Sequence, residues 1–361
     1  MSQVPNARVE AVYFSSAGGE TAVSSCLSAP IAIECARTTT NDFCRSPTAD
    51  TRHPKRQAEN IVYAHPFSYH RAGSLLEASE LLQQLGEEAR LIAGGQSLIP
   101  LMKMRMVRPS ALVDINFIPG LSEIRCSDGQ LRFGALARHA DIEESDAASS
   151  IPIVQDCAAG IADVQVRNQG TIGGSLAEAD PSGDWGAVLL TLETSVRCSR
   201  PSGERTIALD DFFKDAYTTV LGHDELISEI IVKQPAKNSA GAYLAFKRSA
   251  PVYATASAAV QLTLGDSDTC KDVRIVLGCV GLTAIRAKEA EKTLREKKLE
   301  KKRIDSAVEA VRAAAEPQDD MRGSADYKRV LIAALVKRAI GIAARRARGE
   351  QVEAGHEYVG R

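Results

Sequence analysis

Two segments of this chain set adjacent glycines before a serine and a leucine: Ala93-Gly94-Gly95-Gln96-Ser97-Leu98 and Thr171-Ile172-Gly173-Gly174-Ser175-Leu176. Adjacent glycines lack two Cβ atoms and admit positive φ, so successive backbone N–H groups are free to turn toward one concavity. A diphosphate needs such a concavity, because its charged oxygens are met best by fixed, compact donors. One pair alone reads as a turn. Two pairs of the same layout suit a dinucleotide whose pyrophosphate is gripped from both sides. Ser97 and Ser175 add a hydroxyl donor or cap the helix that follows. Downstream, in Asp180-Pro181-Ser182-Gly183-Asp184-Trp185, Asp184 is placed either to cap a helix running to residue 192 or to accept from a sugar-like hydroxyl.

The hydrophobic patterning around these segments is that of a mixed fold. A short strand is expected at 61–66, closed by Pro66, then a helix from 75 to 85 between Ser74 and Gly86. Strands at 90–93 and 111–115 come next, and strand, helix, strand in so short a span predicts a small α/β unit with parallel pairing. Alternation at 131–135 and 195–198 predicts strands, with helical stretches at 158–161 and 187–192 between them. Beyond residue 237, strands at 243–248, 254–264 and 273–280 precede helices at 284–296, 304–315 and 325–347. This is a separate α+β domain, sheet first. The expected organisation is an extension at 1–59, subdomains at 60–116 and 117–236, a C-terminal domain at 237–348 and a tail at 349–361. The extension is rich in Ser, Thr, Ala and Pro, and its charges cancel, so it reads as disordered.

Composition excludes several function classes. A formal net charge of -2 gives no global case for nucleic-acid binding. The best candidate for a membrane span, 330–344, is broken by Lys337 and Arg338 and falls short of the ~20 apolar residues required, so no transmembrane segment is expected. Eight cysteines without a Cys-x-x-Cys pair suggest free thiols in the cytoplasm, and Cys26, Cys35 and Cys44 match no iron–sulfur spacing. The six histidines stand singly, read as surface or satisfied side chains rather than metal ligands. Gly-x-Gly-x-x-Gly, Gly-x-x-x-x-Gly-Lys-Ser/Thr, His-Glu-x-x-His and Gly-x-Ser-x-Gly do not occur. The residues thus offer a dinucleotide cradle without a recognisable acid, base or nucleophile set, a gap that a redox cofactor carrying its own chemistry would fill. From 286 to 348, eighteen Lys/Arg stand against ten Asp/Glu, read as a solvated helical face or as a docking surface.

The stretch from Ala93 to Lys103, with Ile99-Pro100-Leu101-Met102 after the first segment, and the stretch Gln165-Val166-Arg167-Asn168-Gln169-Gly170 leading into the second closely resemble the FAD-binding medium subunit of the xanthine dehydrogenase and carbon monoxide dehydrogenase family. Leu112-Val113-Asp114-Ile115, Asp211-Phe212-Phe213, Asp224-Glu225-Leu226 and Gly323-Ser324-Ala325-Asp326-Tyr327 add to the resemblance, which runs from about residue 60 to about 348. It implies an α+β architecture: a two-subdomain FAD-binding fold of the PCMH (vanillyl-alcohol-oxidase-like) type, then a C-terminal α+β domain with a three-stranded sheet and helices. It further implies that both glycine segments bind the FAD diphosphate and that Asp184 contacts the flavin's sugar-like part. Ile161 and Ile227 match cofactor-lining positions, Lys247 matches a nearby lysine, and Tyr217 and Thr219 match a Tyr-x-Thr close to the isoalloxazine. Gln96 stands where His is frequent, and Ser175 where Asn or Asp is common.

The resemblance also implies a role, that of an electron-transfer subunit. FAD would receive electrons from a separate [2Fe-2S] small subunit, served in turn by a molybdenum-cofactor large subunit, and pass them to an external acceptor. A dimer of heterotrimers is the implied assembly, with no nucleic acid among its partners. A self-contained FAD oxidase of the same cofactor fold, and a non-catalytic accessory protein for molybdoenzyme assembly, are the competing expectations.

Overall fold

The computed structural model describes residues 63–355 together with the backbone of Glu357 and Tyr358. The expected extension, with Cys26, Cys35 and Cys44, lies outside the described residues. Of the strand expected at 61–66, residues 61–62 lie outside the described residues and 63–66 form no strand. The first strand, β1 (Ser68–Arg71), begins two residues beyond Pro66, where backbone donors are again available for a ladder. Helix α1 (Leu75–Leu85) comes next, with the Ser74 hydroxyl accepting from the Glu77 amide and Gly86 closing the last turn at φ +79°. β2 (Ala89–Ile92), α2 (Leu98–Lys103) and β3 (Ala111–Asp114) complete a three-stranded sheet in the order β1-β3-β2, all parallel. Ala78 and Leu82 of α1 pack on Ala111 and Val113 to form its small core.

The next block is built on a five-stranded sheet. β4 (Ile124–Ser127) and β5 (Gln130–Gly134) form a hairpin. Six short helices then run along the chain: α3 (His139–Glu143), α4 (Asp146–Ser149), α5 (Pro152–Gly160), α6 (Val164–Gln169), α7 (Ile172–Glu178) and α8 (Asp184–Leu189). β6 (Thr194–Arg200) and β7 (Gly203–Ala208) make a second hairpin, and β8 (Phe213–Asp215) with β9 (Thr218–Thr219) a small separate ribbon. β10 (Leu226–Lys233) enters the centre, pairing antiparallel with β5 on one side and β6 on the other. Its Glu229 is buried and meets three guanidiniums, Arg125 (2.7 Å), Arg132 (2.7 Å) and Arg197 (3.1 Å), which is what lets a carboxylate occupy a central strand.

Three long antiparallel strands complete the chain's sheets: β11 (Ser239–Lys247), β12 (Ala256–Leu264) and β13 (Thr269–Gly278). The sheet is wider than the expected trio, because β14 (Ile285–Arg286) and β15 (Lys297–Lys298) pair with β13. Pairing at 285–286 therefore delays helix α9 (Lys288–Leu294) relative to its expected start at 284. α10 (Lys301–Ala314) and α11 (Ala325–Ala347) cover one face, burying Ile332, Val336 and Ile340 against Ala242, Leu244 and Val260. The tail returns to the sheet, where β16 (Glu357–Tyr358) pairs parallel with the end of β11.

Candidate functional site

The two glycine segments meet backbone to backbone. A Cβ on Gly94 would lie 2.2 Å from the carbonyl oxygen of Gln169 and 2.8 Å from the Cα of Gly170, so only glycine permits the approach. Gly95 takes φ +70° and turns the chain into α2. The amides of Gly94, Gly95, Gln96, Ser97 and Leu98 have no hydrogen-bond partner among the described residues. Five successive free donors border one cavity, the arrangement that an anionic ligand satisfies.

The second segment is different in kind, and the expectation of a matching loop is corrected. Gly173 and Gly174 sit in the first turn of α7, neither at positive φ. Thr171, not Ser175, is the cap: its Oγ1 accepts from the Gly174 amide at 3.1 Å. The amides of Ile172 and Gly173 already donate to Ala137 and Ala135 carbonyls. Gly173 is required because a Cβ would stand 2.6 Å from the Ala135 oxygen. Ser97, likewise, stands before α2 without capping it.

A polar chain holds the segments together. Asn116 Nδ2 donates to the Ala93 carbonyl (2.9 Å) and to Asp114 Oδ1 (2.8 Å), while its Oδ1 accepts from Arg138 Nη2 (2.7 Å). Arg138 Nη1 donates to the Gln169 carbonyl, the atom that abuts Gly94. Tyr69 anchors the other end through Asp114 Oδ2 (2.5 Å). Burial pushes the Asp114 carboxyl up, but the hydrogen bonds from Tyr69 and Asn116 together outweigh it and hold the group below the usual carboxylate range. Sequence reasoning missed Asn116 and Arg138. Asn116 lies two residues beyond Asp114 of the Leu112–Ile115 match, the only signal that pointed near it.

The cavity they bound has a volume of about 740 Å³, within the range of cofactor sites. Ala93, Gly94, Gly95, Gln96, Ser97, Leu98, Ile161, Thr171, Gly173, Gly174, Ser175, Asp184, Ile227 and Lys247 all border it. Ile172, the first residue of α7, does not, its side chain being fully buried in the core, and neither do Tyr217 and Thr219. Tyr217 is exposed at φ +54°, its hydroxyl pushed up to about 12 by desolvation and the Asp180 carboxylate. Thr219 Oγ1 accepts from the Leu221 amide at 3.2 Å. Asp184 caps nothing: Gly183 is the cap residue, and the buried Asp184 carboxylate accepts from the Tyr243 hydroxyl. Lys247 is buried too, donating to the Gly160 carbonyl with Asp184 Oδ1 at 3.9 Å. Burial, with Asp184 beside it, pushes the Tyr243 hydroxyl up, so it stays a donor. His139, Pro251, Val252 and Tyr253 also border the cavity, and nothing in their spacing announced it.

A parallel α/β unit, a five-stranded sheet and a row of free amides in a cleft between them define a dinucleotide-binding protein whose glycine segments favour a diphosphate. Residues 65–235 match the family described as the FAD binding domain in molybdopterin dehydrogenase, and residues 241–343 match the CO dehydrogenase flavoprotein C-terminal domain. The 6-hydroxypseudooxynicotine dehydrogenase complex subunit alpha of Paenarthrobacter nicotinovorans is 40% identical over 80% of this chain and 98% of its own. The carbon monoxide dehydrogenase medium chain of Hydrogenophaga pseudoflava is 38% identical over 77% of this chain and 96% of its own. A solved carbon monoxide dehydrogenase structure from the latter organism superposes with a TM-score of 0.76 at 39% identity, covering 79% of this chain and 99% of that one. Quinoline 2-oxidoreductase from Pseudomonas putida 86 gives 0.74 at 33% identity, over 79% and 99%. This chain belongs to the FAD-binding medium-subunit family of the molybdenum hydroxylases.

Proposed function

We propose that this chain is the FAD-binding electron-transfer subunit of a molybdenum-containing hydroxylase or dehydrogenase, passing electrons from a [2Fe-2S] subunit through FAD to an external acceptor. The observation that carries the reading is the run of free amides from Gly94 to Leu98 beside the Gln169–Gly170 backbone. These amides hold the diphosphate, and the Asn116–Arg138 clasp keeps them in register. Bound flavin supplies entry of single electrons and exit of pairs.

Around it, the other residues bind and orient. Asp184, kept in place by Tyr243 and facing Lys247, accepts from the ribityl or ribose hydroxyls. Ile161 and Ile227 supply apolar walls, and Ile172 supports the second segment from behind. Tyr217 and Thr219 serve the flavin end from outside the cavity wall. The subdomain boundaries at 116, 236 and 348 are part of the same proposal, as is a cytoplasmic dimer of heterotrimers with a molybdenum-cofactor large subunit and a [2Fe-2S] small subunit. No helix among the described residues is long and apolar enough to cross a membrane.

The test is purification of the chain alone. One releasable FAD per chain, with no oxidation of aldehydes, purines or carbon monoxide by the loaded protein, is expected. Rapid turnover of such a substrate by the isolated chain would favour a self-contained oxidase, and a chain without flavin the accessory-protein reading.

A further inference from the structure

His139 begins α3 and is almost wholly buried, with an exposure of 4%. Its ring is half satisfied. Trp185 Nε1, on the chain's single tryptophan, lies 3.1 Å from His139 Nδ1. An indole nitrogen only donates, so Nδ1 must be the acceptor and the neutral imidazole carries its proton on Nε2. No described residue accepts from Nε2, and His139 borders the cavity beside Gly170 and Thr171. The fit to that edge is close: a Cβ on Gly170 would stand 2.8 Å from Nε2. The His139 amide donates to the Gly170 carbonyl at 3.2 Å, which anchors the backbone that carries the ring. The ring is also kept uncharged, pushed down to about 4 by burial, with the guanidiniums of Arg138 and Arg167 adding to the effect.

We infer that His139 is a cofactor-contacting residue: its Nε2–H donates to an oxygen of the dinucleotide diphosphate, with Trp185 fixing the tautomer that makes it a donor. The inference rests on the FAD reading above. Two observations select the diphosphate rather than the flavin end. The ring lies over Gly170, the residue whose backbone meets the free-amide segment at Gly94, and the Arg138 guanidinium, held there on the Gln169 carbonyl and Asn116, puts positive charge beside an anion, whereas the Arg167 charge is answered by Glu143 at 3.0 Å. Buried and uncharged, the imidazole adds a directed hydrogen bond where a flexible cation would add only charge. Trp185 is accordingly a positioning residue, acting through His139.

The experiment measures dissociation constants of FAD, ADP and riboflavin for the deflavinated full chain and for two variants. It also follows the imidazole nitrogens of nitrogen-15-labelled His139 by magnetic resonance. His139→Leu removes the donor, while His139→Gln keeps an N–H at a similar reach. The expected result is a loss of about ten- to a hundredfold for FAD and ADP in the leucine variant, the scale of one hydrogen bond to a charged group. The glutamine variant should regain most of it, and riboflavin should be indifferent to both changes. In the wild-type chain the resonances should report protonated Nε2 and bare Nδ1, and the Nε2 signal should move when ADP is added. Equal losses in both variants, with an Nε2 signal that ignores ADP, would make His139 a packing residue and overturn the inference while leaving FAD binding intact. Full affinity in the leucine variant would overturn it as well. A wild-type chain that binds neither FAD nor ADP would overturn the functional reading and this inference together.

Discussion

Arg346 near the end of α11 grips Asp156 of α5 with both terminal nitrogens, at 2.6 Å and 3.0 Å, and the two side chains are only 9% and 10% exposed. The same guanidinium donates to the Gly241 carbonyl of β11 (2.8 Å) and to the Val352 carbonyl of the tail (2.8 Å). One arginine thus ties the helices beside the cavity to the C-terminal sheet, and Lys247, at the end of that same β11, borders the cavity.

Replacing Arg346 with methionine should therefore destabilise the chain by about 3–5 kcal/mol, because the buried Asp156 carboxylate loses its guanidinium counter-charge while still accepting from the Tyr243 amide at 3.2 Å. Thermal unfolding of the full chain reads this directly. Pairing the change with Asp156→Asn should recover part of the loss, and an unchanged melting temperature in the single variant would show the pair to be idle.

Gly94→Ala puts a methyl group 2.2 Å from the Gln169 oxygen, with backbone on both sides and no side chain to yield. The segments must separate, at a cost of about 1–3 kcal/mol in strain. FAD affinity should drop by about five- to a hundredfold, by equilibrium dialysis, with the far-ultraviolet dichroism unchanged. Retention of wild-type affinity would remove this segment from the site.

Asn116→Ala opens the clasp without touching the cavity wall, leaving the Ala93 carbonyl and the Arg138 guanidinium short of a partner. Each unmade bond costs about 1–3 kcal/mol. FAD should dissociate about ten times faster in a dilution experiment, and an unaltered release rate would show that the segments hold their register alone.

The pH dependence of stability carries a signature of His139. Its folded value of about 4 lies below the ordinary 6.5, so above pH 6.5 the ring is neutral in both states and contributes no pH dependence. As pH falls from 6.5 toward 4, the unfolded chain takes up the proton first, and up to about 3 kcal/mol of stability is lost. His139→Gln should flatten the acid limb of melting temperature against pH in that window. Superimposable limbs would mean that His139 titrates normally.

Much of this architecture is legible in the sequence because its causes are local. Ser74 and Gly86 bracket α1, and the alternating or continuous apolar runs mark β5, β6 and the three long strands. The glycine segments are visible as composition, yet their different roles are not. Whether a Gly-Gly pair forms a loop or the first turn of a helix depends on Thr171 as a cap and on how closely Ala135 approaches, and these are tertiary facts. Asp184 resembles a cap when only its neighbours in sequence are in view. Its partner, Tyr243, comes from β11, 59 residues further along the chain. His139 looks solitary for the same reason, since both Trp185 and Gly170 reach it only through the fold.

Whether this chain relays electrons between partners, rather than oxidising a substrate itself, is decided by anaerobic rapid mixing. The chain would be co-expressed and co-purified with its molybdenum and iron–sulfur subunits, then mixed with the substrate that the molybdenum subunit oxidises, while absorbance of cluster and flavin is followed. A relay requires that the flavin band bleach fully in the complex, no earlier than the cluster, and stay unbleached when the isolated FAD-loaded chain meets the same substrate. Bleaching of the isolated chain at the rate of turnover, or a flavin that remains oxidised while the complex turns over, would contradict it.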